Sequence, residues 1–229
     1  MSELVQVRTE GSITHVTMDD GKVNALSLPM LQALHGALDQ AERAGSVVLL
    51  SGRAGVFCAG FDLPVLRGGG EAARTLLQTG FGLALRMLAF PTPIVIACTG
   101  HALAMGSFVL LSADYRVGAA GAFKLGANEA AIGLTLPRVA VEICRHRLLP
   151  SHLHRALALA EIYAPERAVE AGFLDEVVAA DALAETAHTR AAQLAKLDMA
   201  AHAGCKQRVR APGLAAMHAA VEADRAASV

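Results

Sequence analysis

Two glycine-containing segments of the sequence have the pattern of loops that hold an anion with backbone amides. The first is Phe57-Cys58-Ala59-Gly60-Phe61-Asp62-Leu63, and the second is Gly100-His101-Ala102-Leu103-Ala104-Met105-Gly106. Each segment follows an apolar run, and the second opens a short apolar helix, whose N-terminus carries partial positive charge. Two backbone N–H groups aimed at one point form an oxyanion hole, which stabilises a carbonyl oxygen as it gains negative charge.

A third segment, Phe123 to Pro137, carries one acidic side chain, Glu129, within an otherwise mostly apolar and glycine-containing stretch. A positioned carboxylate can remove a proton and return it, which makes Glu129 a candidate general base. Glutamates are mostly exposed, so a surface residue at the start of a helix is the alternative interpretation. The apolar run Ala130-Ala131-Ile132 that follows favours burial.

Other nucleophilic or metal-binding patterns are weak. His101 has no accompanying Ser or Cys nucleophile motif, so it is interpreted as part of a turn. His146, His152 and His154 lie among arginines and lack the glutamate of a zinc-binding His-Glu-x-x-His motif. The four cysteines are far apart in sequence, which argues against a zinc ribbon, a redox pair or a disulfide scaffold and predicts small buried thiols. We therefore expect no metal site.

Glycine spacing also argues against a nucleotide-binding Rossmann domain. Gly80-x-Gly82 is followed by Leu85 where a dinucleotide-binding motif would have its third glycine. The run Gly68-Gly69-Gly70 lacks the spacing of a phosphate-binding loop and is predicted to be a flexible surface loop. A Rossmann domain is therefore not expected.

The candidate loops lie between segments whose periodicity alternates between strand and helix, which predicts an α/β fold with a largely parallel sheet. The second loop is read as a Gly-His turn between a strand and a helix, and the first as a glycine-punctuated loop over residues 52–60. The predicted strands are Val5 to Arg8, Ile13 to Met18, Val47 to Leu50, Pro93 to Cys98 and Phe173 to Val178. The predicted helices are Leu28 to Ala44, Ala72 to Leu88, Met105 to Ser112, Asp181 to Leu197 and Gly213 to Ala226.

Composition limits the class of protein. The 229 residues include 54% hydrophobic ones and carry a formal net charge of -1, which predicts a globular protein without a nucleic-acid-binding face. Met87 to Ala113 is uncharged and long enough to cross a bilayer, but its prolines and glycines divide it into shorter elements, so no membrane span is expected. The first residues lack an export signal, so we expect a cytoplasmic protein. One main domain, residues 1–178, with a helical region, residues 179–229, is predicted.

The three segments, in this order and spacing, resemble the crotonase family, also called the enoyl-CoA hydratase/isomerase family. The resemblance extends from Lys22-Val23-Asn24-Ala25-Leu26 to the segment between Arg167 and Val178. It implies a spiral of ββα units with a C-terminal helical region. It also implies that the N–H groups of Phe61 and Met105 hold a thioester carbonyl as it becomes an enolate. Met105 stands where the family usually has glycine. This departure is tolerable because the site would use only the backbone N–H of the residue.

The resemblance is closest to the single-glutamate delta-3, delta-2 enoyl-CoA isomerases. Hydratases of the family use two glutamates, and here Phe108 stands at the first of these positions while Glu129 stands at the second. A phenyl ring cannot activate water, and it is expected to pack in the core and to line the acyl pocket. The implied activity is the shift of a 3-enoyl to a 2-enoyl double bond. The alternatives are a hydratase or other crotonase-type reaction, and a weakly catalytic CoA-binding protein.

The family pattern further implies where coenzyme A lies. Its adenine and pantetheine are expected along residues 22–26 and beside Ala59, Asp62 and Leu63, mainly through backbone groups such as that of Ala25. Lys22 is a candidate phosphate contact and Arg67 a weaker one, although both are equally interpretable as solvated surface charges. Coenzyme A is part of the substrate, so no separate cofactor is implied. A homotrimer or hexamer is expected. After the predicted helix Gly213 to Ala226 we expect no closing tail of the kind that many hydratases have.

Overall fold

A computed structural model describes residues 4–227, so part of the N-terminal stretch inspected for an export signal lies outside the described residues. Within this range the strands are β1 (Val5–Glu10), β2 (Ile13–Met18), β3 (Val47–Ser51), β4 (Gly55–Cys58), β5 (Ile94–Cys98), β6 (Gly100–Leu103), β7 (Tyr115–Ala119), β8 (Leu125–Gly126) and β9 (Glu176–Val178). The helices are α1 (Leu28–Ala44), α2 (Leu63–Gly68), α3 (Gly70–Ala89), α4 (Met105–Leu111), α5 (Arg138–Arg147), α6 (Pro150–Leu157), α7 (Pro165–Ala171), α8 (Leu183–Leu194) and α9 (Met199–Ala227), with a 3₁₀ turn at Ala130–Ile132.

The strands form two sheets. A six-stranded sheet has the order β1-β2-β3-β5-β7-β9, in which β1 is antiparallel to β2 and the other neighbours are parallel. A three-stranded parallel sheet has the order β4-β6-β8. Successive strands β3-β4, β5-β6 and β7-β8 thus place their first member in the large sheet and their second in the small one, and helices follow each pair. This repeated ββα path confirms the predicted α/β class.

Helix α1 shows how local sequence signals set an element. Ser27 is its N-cap and accepts a hydrogen bond from the Met30 N–H, Pro29 lies in the first turn, and Gly45 ends it in the left-handed conformation. Its apolar face is buried against the sheet and α3, so the predicted bounds, Leu28 to Ala44, are correct.

Several predicted elements differ in the structure. The predicted Gly-His turn is strand β6, because Gly100 to Leu103 pairs with β4 and β8, which are distant in sequence. The predicted loop over residues 52–60 contains strand β4 for the same reason. The glycine run 68–70 is the junction of α2 and α3, where Gly69 has a positive φ of 66°, and not an extended flexible loop.

The C-terminal region also differs. Helix α9 is continuous over Met199–Ala227 and contains Pro212, whereas the sequence predicts a helix only from Gly213. Cys205 on this helix is exposed, so the expectation of four buried thiols is wrong for this residue, while Cys58, Cys98 and Cys144 are buried. The division at residue 178 stays a prediction, since α8 covers β3, β5 and β7 and α9 packs on α3 and α5. No helix among the described residues is long and apolar enough to span a membrane.

Buried ion pairs hold α9 on the core. The Asp114 carboxylate lies 2.7 Å from Lys206 Nζ and 2.9 Å from Arg210, whose side chains are only 5% and 6% exposed. Burial lowers the pKa of Lys206 to about 8, although Asp114 acts to raise it. Because buried charges need partners, Asp114 determines where this helix sits.

Candidate active site

Three loops begin side by side at one edge of the small sheet. Its strands β4, β6 and β8 are parallel, so their carboxyl ends lie side by side. Residues 59–61 follow β4, residues 104–105 follow β6, and residues 127–129 follow β8. The Ala104 N–H donates to the Gly126 carbonyl at 3.0 Å, which joins the second and third loops. The carboxyl ends of parallel strands are where ligands bind in many α/β proteins.

The first two loops are in direct backbone contact at Gly60. Gly60 has a φ of 101°, and a Cβ atom there would lie 2.9 Å from Ala104 Cβ and 3.3 Å from Met105 N. Only glycine permits this approach in this conformation. The contact places the Gly60 backbone, next to Phe61 in the chain, close to the start of α4.

The Phe61 amide points away from the segment that holds its loop. Leu26 donates from its N–H to the Gly60 carbonyl at 2.8 Å and accepts from the Asp62 N–H at 3.3 Å. In this parallel bridge Leu26 bonds to the residues on both sides of Phe61, so the N–H of Phe61 faces the opposite direction. Among residues 4–227 it has no backbone acceptor, so it is a candidate donor on the side of the strand away from Leu26.

Met105 supplies a second such amide. It is the first residue of α4, where no preceding turn of helix offers an acceptor for its N–H. Ala104 before it has φ 49° and ψ −128°, an uncommon conformation for a residue with a side chain, and such strain is often found at functional sites. Met105 as a whole is buried, so its side chain packs in the core and its N–H lies inside the protein at the start of α4.

Glu129 begins the 3₁₀ turn that follows β8, and its side chain is 7% exposed. Its Oε2 atom is buried and has no hydrogen-bond partner among the described residues. Burial raises the pKa of Glu129 to about 7, against a smaller opposite effect of its own backbone amide. A carboxyl group with this pKa is present in both protonation states near neutral pH, as an acid–base catalyst requires.

The sequence does not indicate the environment of the Glu129 side chain, to which Asn128 and Cys144 contribute. Asn128 also has a buried side-chain oxygen without a partner among the described residues. Cys144 on α5 is buried, and burial and then the charge of Glu129 raise the pKa of its thiol. Cys144 is separated from Glu129 by 15 residues with no motif connecting them, so only the fold brings them together.

Phe108 lies in the core as expected, with 1% of its surface exposed. Its ring is stacked on Phe81 at 6.2 Å between centroids, and Phe81 meets the Phe61 ring edge-on at 5.9 Å. The three rings form a row, hereafter the aromatic row, that connects α4 and α3 to the first loop. Phe108 is therefore a buried apolar side chain of this row, and its match to a glutamate position of the hydratases stays a prediction.

The segment expected to contact coenzyme A is tightly organised. The Asp20 carboxylate accepts hydrogen bonds from the N–H groups of Lys22, Asn24 and Ala25. Burial acts to raise the pKa of Asp20, but these amides and Arg53 outweigh it, and the pKa lies below its usual range. Lys22 is exposed, and its carbonyl accepts from Arg53 Nη1 at 2.7 Å, while Arg53 also pairs with Asp19 at 3.6 Å, so Arg53 holds this segment in place and its charge is balanced by an acidic neighbour.

The other expected coenzyme A contacts surround this segment. The Ala59 N–H donates to the Val23 carbonyl at 3.1 Å, which fixes the first loop against residues 22–26. Asp62 is the N-cap of α2, accepting from the Val65 N–H, and Leu63 is the first residue of that helix and half-buried. The structure thus brings Lys22, Ala25, Ala59, Asp62 and Leu63 to one region, whereas Arg67 lies exposed at the other end of α2.

The described residues contain no group of three or more His, Cys, Asp or Glu side chains arranged to hold a metal ion. The chemistry available at this edge is therefore that of two backbone donors, one buried carboxyl group and an apolar wall. Such a set can stabilise a developing oxyanion and transfer a proton.

Comparison with known proteins agrees with this geometry. A solved structure of an enoyl-CoA hydratase/isomerase family protein from Pseudomonas syringae is 43% identical and superposes with a TM-score of 0.97, covering 100% of this chain and 99% of the other. An enoyl-CoA isomerase from Mycobacterium tuberculosis is 43% identical with a TM-score of 0.94, covering 99% of each chain. The predicted crotonase fold is therefore confirmed.

Curated relatives carry the names of both reactions. Mitochondrial enoyl-CoA delta isomerase 1 of Rattus norvegicus is 30% identical over 183 residues, which are 78% of this chain and 63% of that protein. The chain thus spans less than two thirds of the length of this relative. Other relatives, at 32% identity, are named probable enoyl-CoA hydratases. The family model for enoyl-CoA hydratase/isomerase matches residues 8–228, and the chain therefore belongs to the enoyl-CoA hydratase/isomerase family.

Proposed function

We propose that this protein is an enoyl-CoA isomerase that shifts the double bond of a 3-enoyl-CoA thioester to the 2-position. The observation that carries the proposal is the buried carboxyl group of Glu129, which has a pKa of about 7 and one oxygen without a partner among the described residues, at the sheet edge where the Phe61 and Met105 loops also begin. The proposed catalytic groups are Glu129 and the N–H groups of Phe61 and Met105.

The two amides bind the thioester oxygen. As the C2 proton leaves, negative charge moves onto this oxygen, and the donors on Phe61 and Met105 are oriented before the charge appears. A donor of this kind lowers the barrier by about 3 kcal/mol in other enzymes. The N-terminus of α4 adds a favourable electrostatic potential at the same point.

Glu129 moves the proton. Its carboxylate removes a proton from C2, the electron pair delocalises over the carbonyl and the C3–C4 double bond, and the resulting acid returns the proton to C4. The double bond then lies between C2 and C3, and the enzyme is back in its starting state. C2 and C4 are separated by one carbon, so a single carboxyl group suffices for both transfers.

Phe108 favours isomerisation over hydration. Hydration requires a group that activates water besides the group that delivers the proton, and Phe108 is a buried ring stacked on Phe81. Phe81 and Phe108 of the aromatic row are buried, and electrostatic interactions are stronger in such apolar surroundings. Hydration, another crotonase-type reaction and weakly catalytic CoA binding are the other outcomes of the test below.

The substrate is held by its coenzyme A part. We propose that pantetheine and adenine contact the backbone along residues 22–26 and at Ala59, Asp62 and Leu63, and that Lys22 contacts a phosphate. Arg53 donates to the Lys22 carbonyl and so fixes the backbone from which the Lys22 side chain extends. The expected homotrimer or hexamer and the cytoplasmic location stay predictions.

The test compares two substrates and two matched variants. Purified protein is assayed with 3-enoyl-CoA and with 2-enoyl-CoA thioesters of several chain lengths, following isomerisation and hydration separately. We expect isomerisation, reduced about a hundred- to ten-thousandfold in Glu129→Gln with CoA-thioester affinity nearly unchanged. Glu185→Gln, an exposed residue of α8, is the control and should keep wild-type turnover. Hydration without isomerisation, or full activity of Glu129→Gln, would contradict the proposal.

A further inference from the structure

Gly80 of α3 has a structural role that the sequence does not indicate. Gly80 is buried in the interior of this helix, and a Cβ atom on it would lie 2.3 Å from Cε1 and 2.5 Å from Cζ of Phe61. The Phe61 ring therefore rests directly on the backbone of α3. Glycine is unfavourable in a helix interior by about 1 kcal/mol relative to alanine, so the close approach accounts for its presence.

The ring cannot simply swing away from a larger residue. On another side it meets Phe81 edge-on, and Phe81 is in turn stacked on the buried ring of Phe108. The backbone of Phe61 is held between two hydrogen bonds to Leu26. A methyl group on Gly80 must therefore displace either the Phe61 loop or α3, because the core around the row is closely packed.

We propose that Gly80 is a positioning residue for the oxyanion hole. By letting the Phe61 ring seat against α3, it sets the direction of the Phe61 N–H relative to that of Met105. This inference rests on the proposed function, since it concerns the donor assigned there. Gly80 itself touches no reacting atom and acts only through Phe61.

The expected effect is a loss of turnover rather than of binding. Gly80→Ala should lower kcat about ten- to hundredfold, because a shift of an ångström in a donor costs that order of rate. The KM for the CoA thioester should change little, because the coenzyme A part contacts residues 22–26. A variant that loses only folding stability would instead keep its kcat per folded molecule.

Gly82→Ala is the matched control on the same helix. Gly82 is exposed, and a Cβ there would meet nothing within 4 Å. It should keep wild-type kcat and KM and gain slightly in stability. Equal losses in Gly80→Ala and Gly82→Ala would overturn the inference.

A second-site variant distinguishes positioning from general disruption. Phe61→Leu keeps the backbone N–H but lacks the ring atoms that a Cβ on Gly80 would meet. In a double-mutant cycle, Gly80→Ala should cost less than about threefold in the Phe61→Leu background. The same cost in both backgrounds would mean that Gly80 does not act through Phe61.

If Gly80→Ala does not fold, Phe61→Ala tests the same contact from the other side. It keeps the donor but removes the ring that seats it, so kcat should fall with KM nearly unchanged. Wild-type kcat in a folded Phe61→Ala variant would refute the inference.

A spectroscopic probe separates this inference from the isomerase proposal. A conjugated 2,4-dienoyl-CoA absorbs at longer wavelength when hydrogen bonds polarise its carbonyl group. We expect a red shift on binding to the wild type and to Gly82→Ala, and a smaller shift with Gly80→Ala. A wild type that gives the shift but does not isomerise 3-enoyl-CoA contradicts the proposed reaction alone. Equal shifts in wild type and Gly80→Ala, or none in the wild type, contradict the role of Gly80.

Discussion

Replacing Glu129 with glutamine should remove turnover and at the same time stabilise the fold at high pH. The pKa of the folded-state carboxyl group is about 7, above the ordinary value of 4.5. The folded protein therefore binds this proton more tightly than the unfolded chain, and the wild type loses stability as the pH rises from about 4.5 to 7. Glutamine carries no such proton. Between about pH 5 and pH 8 the advantage of Glu129→Gln should grow by about 2.5 kcal/mol.

The change with pH is the informative quantity, because a buried amide has its own cost that does not depend on pH. Urea unfolding of wild type and Glu129→Gln at both pH values gives two differences, and the amide cost cancels between them. In thermal unfolding the same change corresponds to about 5 to 10 °C for a domain of this size. Glu185→Gln on α8 should show no comparable pH dependence. If the difference in stability between wild type and Glu129→Gln were the same at both pH values, the raised pKa of Glu129 would be refuted.

Ionisation of Glu129 should raise activity over the same pH range in which it lowers stability. The free enzyme is competent when Glu129 is deprotonated, so kcat/KM for 3-enoyl-CoA should rise with pH and level off above about 7. A profile that levels off near the ordinary pKa of a glutamate would assign the base to an exposed carboxylate instead.

Three further changes test other parts of the structure. Met105→Pro deletes one donor at the first position of α4, so turnover should fall about a hundredfold in protein whose circular dichroism spectrum shows that it is folded, whereas Met105→Gly should be mild; a folded, fully active Met105→Pro would remove this amide from the site. Phe108→Glu should fold poorly or hydrate only weakly, because the carboxylate is buried without a partner; hydratase activity already higher in the wild type would show that this position does not decide the reaction. Asp114→Asn should destabilise the protein by about 3 to 5 kcal/mol in urea unfolding, since Lys206 and Arg210 stay buried without a carboxylate; a loss below 1 kcal/mol would contradict that role.

Much of the fold was predictable because it depends on local signals. The bounds of α1 follow from Ser27, Pro29, Gly45 and an apolar face of helical period, all within one stretch of chain. The apolar runs that became β3 and β5 are uninterrupted, as expected for strands buried on both faces. The three site segments were recognisable because the chemistry depends on glycines and one carboxylate at short, regular spacing.

Elements that depend on distant partners were not predictable. Gly100 and His101 predict a turn, but the segment is strand β6 because β4 and β8 pair with it. Helix α9 extends through Pro212 over 29 residues, because packing on α3 and α5 and the ion pairs to Asp114 outweigh the unfavourable proline.

By itself, the sequence determined the family, the α/β class and the residue types at the proposed site. Those follow from periodicity and from short motifs, each of which lies within a few residues. Only the tertiary structure decided that Glu129 is buried with an unpartnered oxygen, that Gly60 touches the start of α4, and that Gly80 supports the Phe61 ring. The burial of a carboxyl group, which sets its pKa, depends on every segment that packs around it. The spacing of residues along the chain does not indicate which segments those are.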